Sequence, residues 1–143
     1  MDHIDKQILE RLQVDGRISL SQLSKELRLS RPSVTERMRR LQERGIVEGF
    51  TARISPAALD KNILVLIQLR ELKSECKTFE EFVKADTEII ECHRVTGDSC
   101  YVMKAAVSSL ERLEALIDRL LPYGQVQTSI VLSSPVTHRV LLP

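Results

Sequence analysis

Residues 19–45 read SLSQLSKELRLSRPSVTERMRRLQERG, and the punctuation of this stretch decides the fold of the N-terminal part. Ser19 followed by Gln22 is a capping box, with the hydroxyl accepting from the third helical N–H and Gln22 reaching back. A short helix is predicted from there, turning Leu20, Leu23 and Leu27 inward. Ser30 caps the next helix, and Pro32 is tolerated because first-turn N–H groups have no intrahelical partner. Val34, Met38 and Leu41 then recur at helical spacing as a buried stripe, and Gly45 supplies a left-handed stop. Only Arg28, Leu29 and Ser30 separate the two helices. So short a connection makes them cross steeply, as in a helix-turn-helix whose second member is the recognition helix.

Upstream, Asp2 is placed to cap a first helix with Ile4, Ile8, Leu9 and Leu12 on one face, ended by Asp15-Gly16. Downstream, residues 46–54 (IVEGFTARI) are rich in β-branched residues and roughly alternate, which predicts a strand leaving the helical unit. Ser55-Pro56 breaks it, so residues 55–62 read as a linker. Beyond lie a strand at 63–72 and a short helix at 78–85 with Phe79, Phe82 and Val83 on one side. Two strands at 89–96 and 101–107 are joined across Gly97-Asp98-Ser99-Cys100. Ser108 or Ser109 caps a longer helix with Leu110, Leu113, Ile117, Leu120 and Leu121 inward. Pro122 and Gly124 end it, and a last strand follows at 126–132.

The order βαββαβ predicts an α+β fold, a four-stranded antiparallel sheet with two helices on one face, the ferredoxin-like sandwich. The domain reading is therefore 1–54 helix-turn-helix of winged type, 55–62 linker, and 63–143 sandwich and oligomerisation domain. Residues 63–67 are apolar at every position while helices cover only one face, so a homodimer through the open face is expected.

Composition excludes several classes. The 143 residues are 43% hydrophobic with a net charge of +1, enough apolar matter for a core and too little charge to hold the chain open. No apolar run approaches the roughly 20 residues of a membrane span, and the N-terminus has no basic-then-apolar leader, so a cytoplasmic protein is expected. Cys76, Cys92 and Cys100 are odd in number and lack C-x-x-C spacing, which fits reduced thiols rather than disulfides or zinc. His3, His93 and His138 are too far apart for a local metal motif, and no Gly-rich phosphate loop or Ser, His and Asp pattern appears. No enzyme activity, cofactor or metal is expected.

The near-neutral total hides one basic segment. Residues 28–44 hold Arg28, Arg31, Arg37, Arg39, Arg40 and Arg44 against Glu36 and Glu43, a local +4 that suits a polyanion. On a helical wheel Pro32, Ser33, Glu36, Arg39, Arg40 and Glu43 fall opposite the buried stripe, and would face a DNA groove. Ser33, Glu36 and Arg40 are placed for base edges, because recognition helices enter the major groove N-terminus first, and Arg31, Arg37 and Arg44 for phosphates. Glu36 either accepts from a cytosine amino group or pairs with Arg40 four residues on.

Residues 4–54 resemble the N-terminal half of the leucine-responsive regulator/asparagine-synthesis regulator (Lrp/AsnC) family of transcription factors. The resemblance rests on Asp5, Ile8-Leu9, Asp15-Gly16-Arg17, Leu23-Ser24, Leu29-Ser30, Val34, Arg37 to Leu41 and Gly45-Ile46. The βαββαβ remainder resembles that family's regulatory domain. The resemblance implies dimers paired through their sheets, often assembled into octamers on double-stranded DNA, with an amino acid bound between dimers. It also implies an effector loop at Gly97, Asp98, Ser99, Cys100 and Tyr101, where the family pattern is Gly-x-x-Asp-Tyr. Cys100 stands in place of the acid, and Asp98 is the nearby substitute. Two rival readings are an architectural protein that wraps DNA without an effector, and a sirohaem-decarboxylase-like enzyme using His93 and Arg94. The Arg-rich recognition helix argues against the enzyme.

Overall fold

Three helices build the first unit of the computed structural model, which describes residues 1–141: α1 (His3–Val14), α2 (Leu20–Leu27) and α3 (Arg31–Glu43). Each begins at a side-chain cap. At α1 the Asp2 carboxylate accepts from the Asp5 N–H at 2.9 Å, while Asp5 accepts from the Asp2 N–H at 3.1 Å. Ser19 and Ser30 accept from the N–H groups of Gln22 and Ser33. The Ser19 box is only half formed, because the Gln22 amide donates forward to Glu26 rather than back to the cap. Ile8, Leu23, Val34, Met38 and Leu41 form the buried core, flanked by Ile4, Leu9, Leu12 and Leu27. Leu20, expected inside, is exposed: it is the first residue of α2, ahead of the turn that meets α1 and α3.

The turn between α2 and α3 places Arg28 in the left-handed region at φ 54, with the Leu29 N–H donating to the Ser24 carbonyl at 3.0 Å. Gly45 ends α3 at φ 66, as the sequence reading has it. The strand expected at 46–54 does not form. The N–H groups of Ile46 and Val47 both turn back onto the Leu41 carbonyl, closing the helix, and no strand of the described residues lies beside the rest. A β-branched segment without a ladder partner stays irregular, whatever its propensity.

The chain divides into two compact units, Met1–Arg53 together with the segment from Val136, and Ile54–Pro135. The returning segment is fastened by Gln13. Its amide donates to the Leu141 carbonyl at 3.0 Å and accepts from the Leu141 N–H at 2.8 Å.

The second unit runs β1 (Ile63–Arg70), α4 (Cys76–Ala85), β2 (Ile89–Arg94), β3 (Tyr101–Val107), α5 (Leu110–Leu120) and β4 (Gln125–Ile130), in sheet order β2-β3-β1-β4. All neighbours are antiparallel, with Val65 opposite Ala105 and Ile130, which is the ferredoxin-like arrangement. Val65, Ile67 and Leu69 of β1 face the helices and are fully buried, each contributing about 1.5–3 kcal/mol. They meet Phe79 and Val83 of α4 and Leu113, Leu116 and Leu120 of α5. Leu110 and Leu121, expected inward, are exposed, and Leu116 takes the core place instead. Leu110 lies in the first turn beside the Ser109 cap, and Leu121 belongs to the 3-10 turn Leu121–Tyr123.

β1 stops at Arg70, two residues earlier than expected, because Glu71 turns left-handed at φ 47. Gly124 allows that corner. A Cβ there would lie 2.4 Å from the Arg70 carbonyl, so the close approach of β4's start to β1's end requires glycine. The opposite face of β1 presents Leu64, Leu66, Gln68 and Arg70, and Leu66 is 44% exposed.

Candidate nucleic-acid interface

The exposed face of α3 is built by the same residues that bury its stripe. With Val34, Met38 and Leu41 inward, Arg31, Pro32, Thr35, Arg39, Arg40 and Glu43 are exposed, with Ser33, Glu36 and Arg37 partly so. Ser30 frees the helix N-terminus of one unsatisfied donor, and the uncompensated amides there carry the positive end of the helix dipole.

The arginines fall into two classes. Arg39 holds Glu36 with two bonds, Nε to Oε2 at 2.9 Å and Nη2 to Oε1 at 2.8 Å, and reaches Glu43 on its other side. Arg40 also donates to Glu36, at 2.9 Å. These two guanidiniums hold the Glu36 carboxyl at about 2, against an ordinary 4.5. Arg37 points the other way. Its Nη1 lies 2.7 Å from both Asp2 and Asp5, so the charge assigned to phosphate by spacing is bound to the cap of α1. Arg28, Arg31 and Arg44 are exposed and make no ion pair among the described residues. A cleft of about 250 Å³ lined by Asp2, Asp5, Arg37, Arg40 and Arg44 marks the junction of α1 with α3.

The residues of the other predicted site sit in the second unit. Gly97 adopts φ 103, and Asp98 is exposed. Ser99 Oγ donates to Gln68 Oε1 at 3.3 Å, and the Cys100 N–H donates to the Leu69 carbonyl at 2.8 Å, so the loop is hung on the end of β1. Cys100 packs half-buried against the sandwich core. Tyr101 is buried, and its hydroxyl donates to Glu80 at 2.8 Å; burial first, then Glu80, raises its pKa. A core role for Tyr101 follows, with its ring 4.8 Å from that of Phe79.

Sequence reasoning missed the aspartates that hold Arg37. An acid at the cap and another in the first turn of α1 are a visible signal, but their partner lies 35 and 32 residues away.

Comparison with known proteins agrees with this geometry. Residues 1–48 match the model of winged helix-turn-helix DNA-binding domains, and residues 62–141 match that of the Lrp/AsnC ligand binding domain. The chain belongs to the Lrp/AsnC family. It is a DNA-binding regulator of the helix-turn-helix type. Among relatives of this family, the leucine-responsive regulatory protein of Escherichia coli (strain K12) is 39% identical, over 85% of this chain and 76% of its own. The HTH-type transcriptional regulator LrpC of Bacillus subtilis (strain 168) is 32% identical, over 93% and 92%. The solved structure of B. subtilis LrpC superimposes with a TM-score of 0.91 at 31% identity, covering 96% of this chain and 99% of that one. A regulator from Neisseria meningitidis solved in complex with L-Met gives 0.92 at 26% identity, covering 99% and 96%. The Lrp/AsnC ligand binding domain thus spans the whole sandwich of this protein.

Proposed function

We propose that the protein regulates transcription as a symmetric dimer, or an assembly of dimers such as an octamer, in the cytoplasm, with no catalytic step. Residues 1–54 bind the DNA, 55–62 connect, and 63–143 carry regulation and assembly, apart from the segment from Val136, which completes the first unit. Each copy sets α3 into the major groove, the two copies about one helical turn apart. Ser33, Glu36 and Arg40 face the base edges with Arg39 on the same groove face, and Arg31 and Arg44 contact phosphates. Arg37 supports this surface by holding α3 against α1. The observation that carries the reading is the capped, exposed face of α3, with Arg28, Arg31 and Arg44 uncommitted to any acid among the described residues.

Dimerisation uses the open sheet face. Leu66, large, apolar and 44% exposed at the centre of that face, supports it, since such a side chain gains by being covered. An amino acid acts as effector at residues 97–101, a reading supported by the family's ligand binding domain and by the relative solved with L-Met.

A gel-shift titration on the protein's own upstream region and on unrelated DNA of equal length, at two salt concentrations and with and without mixed amino acids, tests this. Preference for the upstream fragment that changes with amino acids is the expected result. Equal, ladder-like retardation of both fragments would replace it with architectural wrapping. Leu66→Asp is expected to yield monomers in sedimentation velocity; unchanged dimers would move the interface elsewhere.

A further inference from the structure

The centre of the open sheet face is apolar, but the corner next to the 97–101 loop is not. There Gln68 and Arg70 of β1 lie beside Ser99 of the loop and opposite Gln127 and Gln125 of β4. Gln68 Oε1 accepts from Ser99 Oγ at 3.3 Å and from Arg70 Nη2 at 3.4 Å, the second bond long and weak. Arg70 is only partly exposed, its Nε is buried with no hydrogen-bond partner, and it makes no ion pair among the described residues. The adjacent acid, Glu71, is turned to Gln125, which it accepts at 2.7 Å. Asp98, the loop's one acid, is exposed.

A half-sheltered guanidinium without a counter-ion is an unfavourable arrangement, and one that a planar anion relieves. Arg presents paired N–H groups that match a carboxylate with two parallel bonds, and a carboxylate is the group every amino acid carries whatever its side chain. We propose that Arg70, oriented by Gln68 and Ser99, is the carboxylate anchor of the small-molecule site at this corner. The proposal rests on the amino-acid effector reading and adds the residue and the ligand group that meet. It also places the ligand's charge contact on the strand. Cys100, packed against the sandwich core, is not that contact.

The test uses the full chain. Thermal shift with each of the twenty standard L-amino acids identifies a binder, and isothermal titration then compares that acid with its own primary amide on wild type, Arg70→Gln and Arg70→Lys. Circular dichroism confirms that the variants fold. The expected result is an acid that binds wild type at least about tenfold better than its amide, a preference lost in Arg70→Gln and partly kept in Arg70→Lys, which retains charge but not the fork. If an acid binds and Arg70→Gln binds it equally well, or wild type takes acid and amide alike, the anchor is wrong while the effector reading stands. If no amino acid shifts the wild type, both fall. In that event, weaker self-association of Arg70→Gln would assign the guanidinium to an acid of a second copy.

Discussion

Arg37 and Asp5, 32 positions apart, are joined by a 2.7 Å charged hydrogen bond between the middle of α3 and the first turn of α1. The Asp5 side chain keeps only 14% of its exposure, and Asp2 accepts from the same Nη1 at 2.7 Å. One guanidinium therefore ties the cap of α1 to α3. The arrangement fixes where α3 stands on its supporting helix.

Asp5→Asn is expected to lower stability by about 1 kcal/mol, the upper end for exposed pairs, because its partner is shared and partly sheltered. Thermal melting checks this, and a double-mutant cycle with Arg37→Ala should show the two changes to be non-additive. Full additivity would mean that the pair is idle.

Salt dependence separates the arginines. Arg31→Ala or Arg44→Ala should weaken DNA binding alike on all sequences and flatten the log-affinity against log-salt slope by about one unit each. Arg37→Ala should leave the slope nearly unchanged, since its charge is already met by Asp2 and Asp5. Titrations of the variants at three salt concentrations decide it; a full unit lost with Arg37 would return that residue to the phosphates.

Glu36 sets an acid limit. Its carboxyl titrates at about 2 in the folded protein, held down first by Arg39 and then by Arg40. A depressed value means that the ion pairs hold in the folded protein until pH nears 2, while the stability they contribute, full above an ordinary 4.5, is lost as pH falls from there toward 2. Asp2 is lowered in the same direction, by the Asp5 N–H and then by Arg37. DNA affinity should thus be flat between pH 6 and 8 as far as these acids are concerned. A carbon-detected NMR titration in which Glu36 moves with a midpoint near 4.5 would show the pairs to be absent in solution.

Leu116 and Leu121 make a contrast within one helix and its turn. Leu116→Ala empties a fully buried place and should cost about 2–5 kcal/mol, whereas Leu121→Ala, 48% exposed, should cost under about 0.5 kcal/mol. Urea denaturation of both variants is the check.

What could be read from the chain beforehand was what local rules govern. Ser19, Ser30 and Ser109 each cap the helix they precede, and Gly45 stops α3, because these effects act within four residues. The βαββαβ order followed from strand-length apolar runs, and the Tyr101–Val107 strand matched its expected bounds. Burial on α5 was less legible. Leu110, Leu113, Leu116, Ile117, Leu120 and Leu121 offer more apolar positions than one sheet covers, and which are buried depends on the angle at which the helix lies. Residues 46–54 had strand propensity but no ladder partner among the described residues. The Arg37 pairing was invisible for a related reason: charge count locates a basic segment, yet which arginines are already neutralised depends on contacts across the fold.

The first unit is discontinuous in sequence, since its stretch up to Arg53 is completed by the segment from Val136, with Gln13 bracketing the Leu141 backbone. During synthesis its three helices emerge first but are closed last, after the entire sandwich has left the ribosome. A fragment cut at the end of the helix-turn-helix is therefore an unfinished version of that unit. Comparing it with the full chain by hydrogen exchange along α1 would measure what the late-arriving segment adds.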